Sequence, residues 1–154
     1  MKFCRIDLSK TNYQPWAGSF IMNLETRLQN HNRLKLIYQQ YCEHKNFESV
    51  MPIFDSQFND PANDIIGYQH RGELVAWSLC HRYDQYNVES VQFAWNYKDS
   101  NLYLGLRSLE SECAIYQEKG YKYLYLGNIA EYKKQFAGFE IVGKLSNDWI
   151  GEQS

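Results

Sequence analysis

Apolar and polar residues follow two rhythms along this chain, and the changes of rhythm divide it into elements. Phe3–Leu8 alternates as a strand. From Pro15, which suits a first helical turn, Trp16, Phe20, Leu24 and Leu28 recur every fourth position and predict a core-facing helix over 15–29. Asn30, His31 and Asn32 interrupt it, and Asn32 is placed to cap a second helix in which Leu34, Ile37 and Tyr41 resume the stripe to His44. Turn residues fill 58–64, and the period then becomes two. Segments 65–71 and 73–83 flank Gly72 as a hairpin; 88–97 follows the turn 84–87 as a third strand, with Val91, Phe93 and Trp95 on one face.

From Leu104 the pattern is helical again: Leu106, Leu109, Cys113 and Tyr116 form a stripe, while Arg107, Glu110, Ser111, Gln117 and Glu118 lie off it. Gly120 ends this helix. A short strand over 121–126, a short helix over 129–136 and a closing strand over 139–145, with Gly143 as a bulge or bend, complete the chain. The expected class is α+β: an antiparallel meander joined to one parallel β-α-β crossover, because a helical return trip makes the flanking strands parallel.

The tetrapeptide Leu-Tyr-Leu-Gly occurs twice, at 102–105 and 124–127. In this topology both copies fall at the carboxyl ends of the two parallel strands. That rim is where open sheets bind ligands, and the helix starting there presents unpaired N–H groups. Packing alone accounts for the same leucines, so the motif by itself leaves both readings open.

Composition narrows the field. A chain of 154 residues suits one domain, taken as 1–154. A net charge of -2 disfavours a large nucleic-acid surface, so tRNA is an open but unfavoured partner. Cys4, Cys42, Cys80 and Cys113 are scattered without C-x-x-C spacing, and the histidines at 31, 44, 70 and 81 form no ligand pair, so no metal site is expected. Buried free thiols, no signal-peptide pattern and no apolar run long enough for a bilayer suggest a cytoplasmic protein without membrane association. No Ser-His-Asp order, P-loop or EF-hand occurs.

The order of elements resembles the GCN5-related acetyltransferase (GNAT) fold: a central mixed sheet with helices on both faces. A closer likeness is to the catalytic half of the arginyl and leucyl aminoacyl-tRNA–protein transferases. Their strand-to-helix run Tyr-Tyr-Asp-Pro-Asp followed by Leu-Ser-Leu-Gly is similar to 93–105, with Asn96 at an acidic position of that family. Their E-x-A-x-x-x-G-x-x-Y-x-Y-L-G is matched at Glu112, Ala114, Gly120, Tyr123, Tyr125, Leu126 and Gly127, and their Y-K-x-x-F at Tyr132, Lys133 and Phe136, with Glu140 following. The glycine fingerprint that usually cradles CoA is reduced to Gly105.

The resemblance implies transfer of an activated acyl group, from acyl-CoA or aminoacyl-tRNA, to an amine. It places the donor against Tyr103, Leu104, Gly105, Leu106, Arg107 and Gly127. Tyr125, Glu89 and Glu131 are the candidates for acid or base. Lys98, Lys119, Lys122, Lys133 and Lys134 with Arg107 offer a basic strip for phosphates. The alternative is a non-catalytic relative that binds a small ligand at this rim or uses it as a homodimer interface.

Overall fold

The computed structural model describes residues 2–46, 57–128 and 130–144. Its elements are β1 (Lys2–Asp7), β2 (Ser19–Ile21), α1 (Leu24–Gln29), α2 (His31–Lys45), β3 (Asn63–His70), β4 (Glu73–Arg82), β5 (Asn87–Trp95), α3 (Leu104–Glu118), β6 (Tyr123–Asn128) and β7 (Phe139–Lys144). The seven strands form one mixed sheet in the order β2-β3-β4-β5-β6-β1-β7. Among the described residues only β5 and β6 pair in parallel, and every other pairing is antiparallel. The α+β class, the meander and the crossover are as expected.

Two cores fill the two faces of the sheet. One gathers Cys4, Ile6, Ile66, Tyr68, Val88, Leu124 and Leu126 under Leu109, Cys113 and Tyr116 of α3. The other packs Leu34, Ile37, Tyr38 and Cys42 of α2 on Ile65, Trp77, Leu79 and Ala94. The Trp77 indole N–H donates to the Leu34 carbonyl at 3.0 Å, tying α2 to the meander. All four cysteines are buried free thiols.

The predicted helix over 15–29 is not formed. Trp16 ends a loop, residues 17–18 turn, and Ser19–Ile21 joins the sheet edge against Ile66–Tyr68. A spacing of four satisfies a strand's period of two as well as a helix's 3.6, so the stripe did not discriminate. Gly18 decides it: a Cβ there would lie 2.1 Å from the Gln69 carbonyl oxygen, and the Gly18 carbonyl accepts the Gln69 N–H at 2.9 Å. Helix survives only in α1, where Leu24 and Leu28 face solvent. Its cap is Asn23, whose side chain accepts the Thr26 N–H, and α2 starts after Asn30 rather than Asn32.

Two further patterns read differently in three dimensions. Cys80 pairs with Ser90 and Leu79 with Gln92, so Val91 is an extra residue in a β-bulge. The bulge reverses the alternation: Val88 faces α3 before it, Phe93 and Trp95 face α3 after it, and Val91 packs on the opposite core. On α3, Ser111 is buried because the N-terminal segment covers a second side of the helix. Its hydroxyl accepts the Trp16 N–H at 2.8 Å, and the Gln117 amide donates to the carbonyls of Leu8 and Thr11.

The segment 131–135 is a 3-10 turn, and Gly143, at φ +86°, adjoins a bulge in β7 opposite Phe3 and Cys4. Ile129 and Leu145, the outer residues of those two sequence segments, lie outside the described residues.

Candidate functional site

The parallel ladder between β5 and β6 is short: Asn87, Val88 and Glu89 oppose Tyr123, Leu124 and Tyr125, and pairing stops there. The bulge at Val91 follows at once and bends β5 away from β6. A cavity of about 610 Å³ opens where the strands part. Ser90, Val91, Gln92, Phe93 and Trp95 of β5 line one side, and Leu126 of β6 the other. Gly105, Leu106, Ser108, Leu109 and Glu112 of α3 form another wall. Tyr132, Lys133 and Gln135 of the 3-10 turn and Tyr41 and Lys45 of α2 complete it with Tyr97.

The two Leu-Tyr-Leu-Gly copies therefore do meet at one place, through Gly105 of the first, with Leu106 just after it, and Leu126 of the second. Leu104 is instead a core residue, Tyr103 is exposed, and Arg107 is exposed in the first turn of α3. Tyr103 takes the left-handed conformation at φ +50°, and no side chain caps the helix there. Its carbonyl accepts the Leu106 and Arg107 N–H groups, leaving the N–H groups before them as the usual orphans of a helix start. An added Cβ at Gly105 would meet nothing within 4 Å. Gly127 continues β6 at φ +72°, and its carbonyl accepts the Cys4 thiol at 3.6 Å.

The three expected acid-base residues lie elsewhere. Leu124 and Leu126 face α3, so Tyr125 between them faces the other side of the sheet. There its hydroxyl accepts from Arg5 at 3.2 Å and donates to Asn87 at 3.3 Å. Burial pushes its phenol upward, against the pull of Arg5. Glu89, one residue past Val88, also points away from α3 and accepts the Tyr83 hydroxyl. Glu131 is solvated and ion-paired to Lys134 at 3.0 Å. None of the three is in the cavity wall.

Other ionisable groups lie in the cavity wall. Glu112 is buried in the wall at 1% exposure and accepts hydrogen bonds from the Cys80 thiol at 3.0 Å, the Ser78 hydroxyl at 3.4 Å and the Ser90 side chain. Burial pushes its carboxyl above the ordinary glutamate range, against those bonds. Lys133 donates to the Leu126 carbonyl at 2.8 Å, and burial lowers its ammonium. Tyr97 stacks on His44 at 3.6 Å and leans on Trp95 at 4.1 Å, making an aromatic wall.

Glu112 carried a readable signal: it falls three residues after Leu109 and four before Tyr116, inside the apolar arc of α3. Asn96 is a turn residue whose side chain accepts the Lys98 N–H at 3.1 Å, and Lys98 itself pairs with Glu73 at 3.5 Å. Among the described residues no cluster could hold a metal ion and no helix is long and apolar enough to cross a membrane.

No family model matches the chain, and no curated protein sequence does. Solved structures do. A C-terminal domain assigned to a lysylphosphatidylglycerol synthetase from Agrobacterium fabrum superposes with a TM-score of 0.65 at 11% identity, covering 82% of this chain and 46% of that one. Saccharomyces cerevisiae N-myristoyltransferase with bound myristoyl-CoA gives 0.62 at 8% identity, covering 91% and 47%. A GCN5-related N-acetyltransferase from Kribbella flavida gives 0.56 at 14%, covering 97% and 60%. The chain thus spans roughly half the length of these proteins, and at such identities the likeness is one of architecture. The mixed sheet, its single parallel pair and the crossover helix give this chain the GNAT fold.

Proposed function

We propose that this protein is an acyltransferase that moves an activated acyl group to an amine. The observation that carries this reading is the parting of β5 and β6 at the Val91 bulge, with the start of α3 beside the gap. Past Glu89 the inner edge of β5 has no ladder partner among the described residues. Apart from the Phe93 carbonyl, which accepts the Gln92 side-chain amide at 2.9 Å, its backbone groups suit a donor that lies between the strands, and its N–H groups suit a developing oxyanion. The orphan N–H groups at the start of α3 suit a phosphate or carbonyl oxygen of the same donor, with Tyr103–Arg107 as its seat and Gly127 beside it. Amine attack on a thioester or aminoacyl ester needs no covalent enzyme intermediate, so holding both reactants in the cavity supplies much of the rate.

The sequence likeness to the aminoacyl-tRNA–protein transferases supports an aminoacyl donor. The reduced glycine fingerprint, a single Gly105, is consistent with a donor other than CoA. The net charge of -2 weighs the other way, since tRNA needs many neutralised phosphates. Titration with acetyl-CoA, longer acyl-CoAs and charged tRNA, read by thermal shift and by amide formation on an amine, tests the proposal. Binding of one donor class with amide product is expected. Failure of every donor to bind leaves a ligand-binding relative without catalysis.

A further inference from the structure

Glu112 lies in the cavity wall with hydrogen bonds but no countercharge. Its donors are the neutral Cys80, Ser78 and Ser90, and no cationic side chain pairs with it among the described residues. The titratable groups that sense it are also acids: Tyr68 on β3, Cys80 on β4, Cys113 and Tyr116 on α3, and Tyr132 on the 3-10 turn, while the two ammonium groups in the same cavity wall are Lys45 of α2 and Lys133, which donates to the Leu126 carbonyl at 2.8 Å. Beyond Tyr116 lies a further carboxylate, Asp64, which accepts its hydroxyl at 2.6 Å. A buried carboxyl without a partner is costly, and a cation arriving in the cavity would supply the missing charge.

Ser90 occupies the junction. It is the first residue past the parallel ladder, opposes Cys80 on β4, and both lines the cavity and bonds Glu112. Phe93, and beyond it along the chain Trp95 and Tyr97, add rings to the cavity wall, which favour both an apolar body and a cation.

We propose that Ser90 and Glu112 form the amine-receiving end of the cavity, binding a primary ammonium on an apolar or aromatic body, with Glu112 taking its proton through the Ser90 hydroxyl. The chemical step rests on the acyl-transfer reading; the binding step does not. An ammonium proton passes to the Ser90 oxygen as the Ser90 proton passes to the Glu112 carboxylate. The neutral amine then attacks the acyl carbon, the N–C bond forms and the C–S or C–O bond to the donor breaks. The second N–H proton leaves on the donor's sulfur or oxygen, and Glu112 later returns its proton to solvent.

The test compares binding of phenethylamine and of 2-phenylethanol, its neutral near-isostere, by calorimetry or NMR titration. The amine is expected to bind the parent about tenfold or more tightly, the scale of a charge-assisted hydrogen bond. Glu112→Gln and Ser90→Ala should each reduce that preference and keep alcohol binding, which also reports an intact fold. Should Glu112→Gln not fold, Ser90→Ala and a pH titration of the parent carry the test, because amine affinity should rise as the carboxyl ionises. Equal binding of the two probes by the parent, or an unchanged preference in both variants, overturns the proposal. Donor titration of the same variants separates the two readings: amine preference without any donor binding removes acyl transfer and leaves the amine site standing.

Discussion

At the scale of single residues, Glu112 makes the sharpest prediction. Its folded pKa lies above its unfolded value because burial disfavours the charge. The folded state therefore holds this proton more tightly. Stability from this group is fully present below the ordinary glutamate range and is lost as pH rises through the folded value. Urea melts of the parent should weaken over that window, and Glu112→Gln should flatten the trend; a parent with no slope there would contradict the assignment. Arg27 is a second case. Its guanidinium is buried and donates to the carbonyls of Met22, Phe58 and Asn63, joining α1, the loop before β3 and the start of β3. Arg27→Ala leaves those carbonyls without a donor and should cost roughly 2–4 kcal/mol in denaturant melts. Unlike Glu112, which falls inside the apolar arc of α3, Arg27 gives no local sign of its role: it reads as a surface charge on a short amphipathic run, and its partners lie up to 36 residues away.

At the scale of elements, close backbone approach matters more than propensity. Gly138 has φ +76°, and a Cβ there would fall 2.4 Å from the Asp7 carbonyl oxygen, where its own carbonyl accepts the Asp7 N–H at 2.8 Å. Gly138→Ala should destabilise the β1–β7 edge by roughly 1–3 kcal/mol, measured as a lower urea midpoint. Gly105→Ala, with open space around the new methyl in the first turn of α3, should instead be stabilising by about 0.5–1 kcal/mol. The same contrast separates local from tertiary signals in the chain. α3 and the β3–β4 hairpin follow from periodicity and from Gly72 and Gly120 as stops, because their signals are local. The segment at 15–29 misleads because its spacing fits two periods and the choice was made by a neighbour, the Gln69 backbone against Gly18.

At the scale of the whole molecule, β1 lies between β6 and β7 and buries Cys4 and Ile6 completely. The sheet thereby continues past β6 to β1 and the edge strand β7, and the gap between β5 and β6 lies inside it as a cavity. Gly105→Trp should fill that cavity from the α3 side with little effect on the melting temperature, since nothing lies within 4 Å of the added Cβ. Donor titration should then show at least a tenfold loss of binding against the Gly105→Ala control; unaltered binding would move the donor elsewhere.

Chain-local chemistry determined the strand and helix rhythm, the parallel crossover and the meeting of two Leu-Tyr-Leu-Gly copies on one rim, since each depends on neighbours within a few residues or on general topology. Tertiary structure alone decided which side chains face the gap. One extra residue at Val91 inverts the alternation of β5 and brings Phe93 and Trp95 onto the face that Val88 and Ser90 already share with Glu112, while the simple alternation of β6 turns Tyr125 away. A bulge is a mismatch between two strands, so only their pairing shows it.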